Sequence, residues 1–98
     1  MKVRITAEAE SDLGCIADYI AQDNPARALS FLHELRDACL GLADMPLAFQ
    51  LVPRYERFGV RRRVHGRNLI FYRAERDQVV VLHVQPGATD YASLLFDS

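Results

Sequence analysis

"GVRRRVHGRNLIFYR", residues 59–73, holds five arginines in fifteen positions and no acidic residue. Successive side chains of a strand point to opposite faces. On that rule Arg61 and Arg63 point one way, while Val60, Arg62 and Val64 point the other. His65-Gly66-Arg67 is turn-sized and polar, and residues 68–74 resume a strand. There Leu69, Phe71 and Arg73 share a side opposite Ile70, Tyr72 and Ala74. The stretch reads as a β-hairpin.

Working toward higher numbers, Glu75-Arg76-Asp77-Gln78 forms a second polar turn, and residues 79–85 form a third strand. Alternation sets Val80, Leu82 and Val84 against Val79, Val81, His83 and Gln85. The result is a three-stranded antiparallel meander stopped by Pro86-Gly87. Thr89 is placed to cap a short closing helix with Tyr91, Leu94 and Leu95 on one side. Both faces of the middle strands carry large apolar groups, so the sheet is buried on one side and at least partly covered on the other. The pattern leaves open which face meets the helices.

Working toward lower numbers, residues 46–58 mix proline, aromatic and charged residues without a period and read as a surface loop ahead of the meander. Before it, Ala28, Phe31, Leu32, Leu35, Ala38, Cys39 and Leu42 make one face of a helix that starts after an Asn24 cap with Pro25 at its first position. His33, Glu34, Arg36 and Asp37 occupy the opposite face, and Met45-Pro46 ends the pattern. An earlier helix follows a Thr6 cap, with Glu8 and Glu10 where the helix dipole favours anions. Its stripe is Ala9, Leu13, Ile16, Ala17 and Ile20. Val3-Arg4-Ile5 reads as a short strand. The break at Asp23-Asn24-Pro25 is short enough to make the helices an antiparallel hairpin. The order is β-α-α-β-β-β with a short last helix: an α+β domain, both helices covering one sheet face.

The chain of 98 residues fits one domain spanning 1–98, since two halves would each be too small to bury a core. No apolar run approaches the roughly 20 residues that span a bilayer. The start lacks the apolar core of a secretory signal, so no membrane role is expected and a cytoplasmic address is. Cys15 and Cys39 fall in the helices and are expected to be reduced thiols, Cys39 in the core and Cys15 beside its stripe. No ligand spacing joins them to His33, His65 or His83, so neither a metal nor a cofactor is expected.

Charge is segregated. Residues 1–53 sum to −4, residues 54–76 to +6 and residues 77–98 to −3, for a formal net charge of −1. Every cation in the basic block is arginine, which favours planar, bidentate pairing with carboxylate or phosphate. The block serves either as a solvated face with its stems over apolar neighbours or as an anion-recognition surface. As such a surface it would take nucleic-acid phosphates or the carboxylates of an acidic partner.

Three pieces in order carry a resemblance over nearly the whole chain: "AEAESDLGCIADYIAQDNPARALSFLHEL", "GVRRRVHGRNLIFYR" and "VVVLHVQPGATDYASLL". Together the chain resembles the RelE/ParE superfamily of toxins from bacterial toxin–antitoxin modules, and within it ParE. The resemblance implies one of two activities. RelE-like members cut messenger RNA on the ribosome, using basic residues to hold the phosphate and a Tyr or His for proton transfer. ParE-like members poison DNA gyrase without cleaving RNA. In both, a cognate antitoxin wraps the toxin, which here implies a ParD-like partner.

Cleavage needs a base, an acid and positive charge at one phosphate. Arg61, Arg63 and Arg73 supply charge, and His65 and His83 are the candidate proton carriers. Residues 86–98 contain no Lys or Arg, where nucleases of this family place an arginine. His83 matches a structural histidine of the family and Tyr91 its "DY", an anchor for the tail. The acidic flank also opposes RNA. The reading is therefore a non-enzymatic gyrase poison without specific nucleic-acid binding of its own. The messenger-cleaving enzyme and an antitoxin-binding relic without toxicity are the alternatives. Arg61, Arg63 and Arg73 are the expected antitoxin contacts. Arg62, Tyr72, His83, Asp90 and Tyr91 are further functional candidates. Where the family often has an arginine just before the residue matching Asp90, this chain has Gly87-Ala88-Thr89.

Overall fold

The computed structural model describes residues 1–87. Its elements are β1 (Lys2–Ile5), α1 (Ala7–Ala21), α2 (Pro25–Leu40), β2 (Val60–His65), β3 (Asn68–Ala74) and β4 (Gln78–Pro86), with 3-10 turns at Gly41–Ala43 and Glu56–Phe58. Asp90, Tyr91 and the expected closing helix lie outside the described residues.

Both helices start as their caps dictate. The Thr6 hydroxyl oxygen accepts from the Ala9 N–H at 3.1 Å, and Asn24 Oδ1 accepts from the Arg27 N–H at 3.0 Å. These bonds satisfy N–H groups that the first helical turn leaves without partners. Thr6 does a second job, its hydroxyl donating to the Val81 carbonyl at 2.9 Å. A paired contact between Arg36 and Glu10 at 2.7 and 2.8 Å bridges the two helices.

The sheet runs β1-β4-β3-β2, with β1 parallel to β4 and the remaining pairs antiparallel. The meander matches the sequence pattern to within a residue or two at each end. β1 completes it by pairing Val3 with Val79 and Ile5 with Val81. Gly66, at φ 61°, turns the two-residue connection between β2 and β3.

One core lies between helices and sheet: Ala9, Leu13, Leu35, Ala38, Cys39 and Leu42 against Ile70, Tyr72, Val79, Val81 and Val84. Each large side chain removed from water there contributes about 1.5–3 kcal/mol. A second, smaller cluster covers the outer sheet face, where Val52 and Tyr55 meet Val60, Leu69, Phe71 and Leu82.

Two expectations are corrected here. Val84 does not share a face with Leu82. Phe71 pairs with His83 while Tyr72 pairs with Val81, so Leu82 is an extra residue that bulges β4 and returns Val84 to the helix side. Residues 46–58 are likewise more than a surface loop. The Val52 N–H donates to the Val60 carbonyl at 2.8 Å, and the Arg62 N–H donates to the Gln50 carbonyl at 3.1 Å. This short pairing closes the β2 edge, and Val52 is fully buried.

Candidate functional site

The register settles where the arginines go. Arg61 and Arg63 lie opposite Tyr72 and Ile70, on the helix-facing side at the margin of the sheet. Arg62 and Arg73 lie opposite Phe71 and Val60, on the outer face. The three arginines expected to meet an antitoxin thus fall on two faces of one ribbon.

Arg63 Nη1 donates to the Ala38 carbonyl at 2.8 Å, and its guanidinium lies 5.0 Å from the Phe49 ring centroid. A cation suits this place because the last carbonyls of a helix carry partial negative charge. Arg61 Nη1 donates to the Phe49 carbonyl at 2.7 Å. The Tyr72 hydroxyl donates to the Pro46 carbonyl at 2.9 Å, and burial pushes its pKa up, partly countered by the charge of Arg61. Tyr72, Arg61 and Arg63 together tie residues 46–49 and the end of α2 to the sheet. A guanidinium has five N–H donors, and Arg61 and Arg63 each use only Nη1 in these bonds. On the outer face, Arg73 donates through Nε and Nη2 to one oxygen of Glu75, at 3.3 and 2.9 Å. The guanidinium groups of Arg62 and Arg67 have no hydrogen-bond or ion-pair partner among the described residues.

The two candidate proton carriers have different neighbours. His65 tilts against Phe31 with ring centroids 6.2 Å apart. His83 Nδ1 lies 2.9 Å from Asp12 Oδ2. The same carboxylate accepts the Val84 N–H at 2.9 Å and Gln85 Nε2 at 2.8 Å. β1 ends at Ile5 opposite Val81, so Asp12 satisfies the edge of β4 beyond the reach of β1. The sequence reading passed over Asp12 as a site residue. Its signal is a carboxylate three residues after Ala9 and four before Ile16, a charge at the rim of an apolar stripe.

Beside Asp12 opens a groove of about 740 Å³ between α1, the start of α2 and the end of the β3–β4 pair. Its lining includes Ile16, Tyr19, Ile20, Phe31 and Val84, together with Cys15 and Arg67. Among the described residues no group of three His, Cys, Asp or Glu is placed to hold a metal ion. No described helix is long and apolar enough to cross a membrane.

No curated protein matches the chain significantly in sequence. In fold it is similar to a chain of the chromosomal ParDE toxin–antitoxin system of P. aeruginosa, with a TM-score of 0.74 and 19% identity over 88% of this chain and 95% of that one. It is also similar to a chain of the toxin–antitoxin complex RelBE2 of Mycobacterium tuberculosis. There the TM-score is 0.63 and the identity 26%, over 87% of this chain and 95% of that one. Residues 3–91 match the family described as the ParE toxin of the type II toxin–antitoxin system, parDE. With the strand order, the two-helix start and the arginine hairpin all in place over that span, the chain belongs to the ParE toxins of type II toxin–antitoxin systems.

Proposed function

We propose that this toxin acts in the cytoplasm as a poison of DNA gyrase, cuts no nucleic acid, and is neutralised by a ParD-like antitoxin laid along its arginine hairpin and helix-side groove. The observation that carries the reading is the state of the hairpin. Its arginines have donors to spare, while the contacts of the two histidines run to Phe31 and Asp12 rather than to an arginine. Family membership supports the gyrase target, and the likeness to chains from toxin–antitoxin complexes supports the partner. In this reading Arg61 and Arg63 take carboxylates with their remaining N–H groups, and Arg73 exchanges Glu75 for an antitoxin carboxylate. Arg62 lies beside them on the outer face, Tyr72 is buried in the core opposite Arg61, and Asp90 and Tyr91, the further candidates, lie outside the described residues.

Expression without antitoxin, followed by supercoiling and translation assays, tests the target. The expected outcome is gyrase-linked DNA damage with translation intact. Position-specific cuts in ribosome-bound messenger would replace this reading with the nuclease, and absence of both effects with the antitoxin-binding relic. The likeness to the RelBE2 chain keeps the nuclease as the second reading.

A further inference from the structure

Large apolar side chains stand in water along one short stretch between α2 and β2. Leu40 closes α2, and Met45 and Leu47 follow it, with 51%, 42% and 66% of their surfaces exposed. Single exposed apolar residues are ordinary on a protein, but three in eight positions are not scattered. The backbone that carries them is pinned. The Met45 N–H donates to the Leu42 carbonyl at 3.3 Å, and the Ala48 N–H donates to the Met45 carbonyl at 3.2 Å, closing a tight turn with Pro46 at its second position. Side chains of β2 and β3 fix that turn. The Tyr72 hydroxyl donates to the Pro46 carbonyl at 2.9 Å, and Arg61 Nη1 lies 3.5 Å from the Leu47 carbonyl and 2.7 Å from that of Phe49. Phe49 packs against the main core and attaches the segment there, so Met45 and Leu47 are left out of that work.

We propose that the turn Met45-Pro46-Leu47-Ala48 is the toxin's contact with its target, entering an apolar pocket on a folded protein that sets a carboxylate within reach of Arg61. The inference rests on the gyrase reading and adds which surface of the toxin gyrase meets. Shape favours a folded partner, because a tight turn presents its side chains outward and an extended peptide has no pocket to receive them. Area favours a large partner over a second copy. Leu40, Met45 and Leu47 leave roughly 300 Å² of apolar surface exposed between them, the size of a functional patch on a monomer. Each copy of a stable dimer gives up about 800 Å². Charge gives the contact a direction. Arg61 spends only Nη1 on the turn and keeps its other donors, whereas Asp44, exposed just before the turn, carries the opposite sign. Rigidity adds affinity, since the ordering of this backbone is already complete before the target arrives. Arg61 then serves antitoxin and target in turn, which makes the two exclusive.

The test replaces Met45→Ser and Leu47→Ser together and measures inhibition of supercoiling by purified gyrase alongside affinity for the antitoxin. Both side chains lie in water, so the melting temperature is expected to stay unchanged. The expected result is inhibition at least about tenfold weaker, with antitoxin affinity within about threefold of native. A photoreactive benzophenone side chain gives a second measurement on the otherwise native chain. At position 47 it is expected to crosslink to gyrase, and at position 33, where His33 is exposed on α2, it is not. Native potency of the double variant on gyrase overturns the inference and leaves the gyrase reading standing. Loss of antitoxin affinity with gyrase inhibition retained overturns it too, and assigns the turn to the antitoxin. Crosslinking from position 47 to a second toxin chain in place of gyrase assigns it to a dimer and overturns it likewise. A native toxin that leaves gyrase unaffected removes the gyrase reading and this inference together.

Discussion

Asp12 brings three partners from β4 onto a single carboxylate, and its loss would leave the Val84 N–H and the side chains of His83 and Gln85 with nothing to bond. Unmet donors in a half-buried place are costly, and hydrogen bonds to a charged acceptor are the stronger kind. Asp12→Ala is expected to destabilise by about 2–4 kcal/mol, read as a fall in the urea midpoint with unchanged slope. Asp12→Asn keeps one acceptor oxygen and should fall between. The arginines divide in the same way. Arg63 holds the end of α2 and stacks on Phe49, so Arg63→Ala should cost about 1–3 kcal/mol. Arg62, with no side-chain partner among the described residues, should change stability by less than about 0.5 kcal/mol as Arg62→Ala. Alternation along β2 separates Arg63 from Arg62 but does not rank them. Their difference lies in which face of β2 meets the helices, and local alternation carries no information on that.

The helices were legible because their signals are local. Caps at Thr6 and Asn24, Pro25 at the first position and stripes at spacings of three and four act within one or two turns. What joins the helices was not legible, since Glu10 and Arg36 sit 26 positions apart. Hydrogen bonding from Arg36 holds the Glu10 carboxyl below its ordinary value of 4.5. A lowered value in the folded state means that the pair stabilises fully above the unfolded value and loses its effect as pH falls through the folded one. Both side chains are about two-fifths exposed, so solvent screens the pair and its worth is about 0.5 kcal/mol. Glu10→Gln should therefore remove a small part of the loss of stability below about pH 4.5, seen by comparing urea midpoints at neutral and acid pH. The candidate site shows the same division. The hairpin and its turn are local and were read from alternation. The groove is built from α1, α2, β3 and β4, and only their packing brings Tyr19, Phe31 and Arg67 together.

Across the whole molecule the least legible feature was the sheet order. A four-residue strand at one end of the chain pairs with the ninth-decade strand because Thr6 and β1 offer the only parallel partner for the β4 edge among the described strands. The bulge at Leu82 redirects Val84 from one face to the other. β4 stands between β1 and β3, yet it is the last described strand to be synthesised. While the ribosome is still making residues 78–86, β1 has no neighbour, the helical hairpin has only part of its floor, and Asp12 has none of its three donors. Contacts of such separation also close slowly. A nascent toxin therefore spends most of its synthesis without the strand on which β1, the helical hairpin and Asp12 all depend.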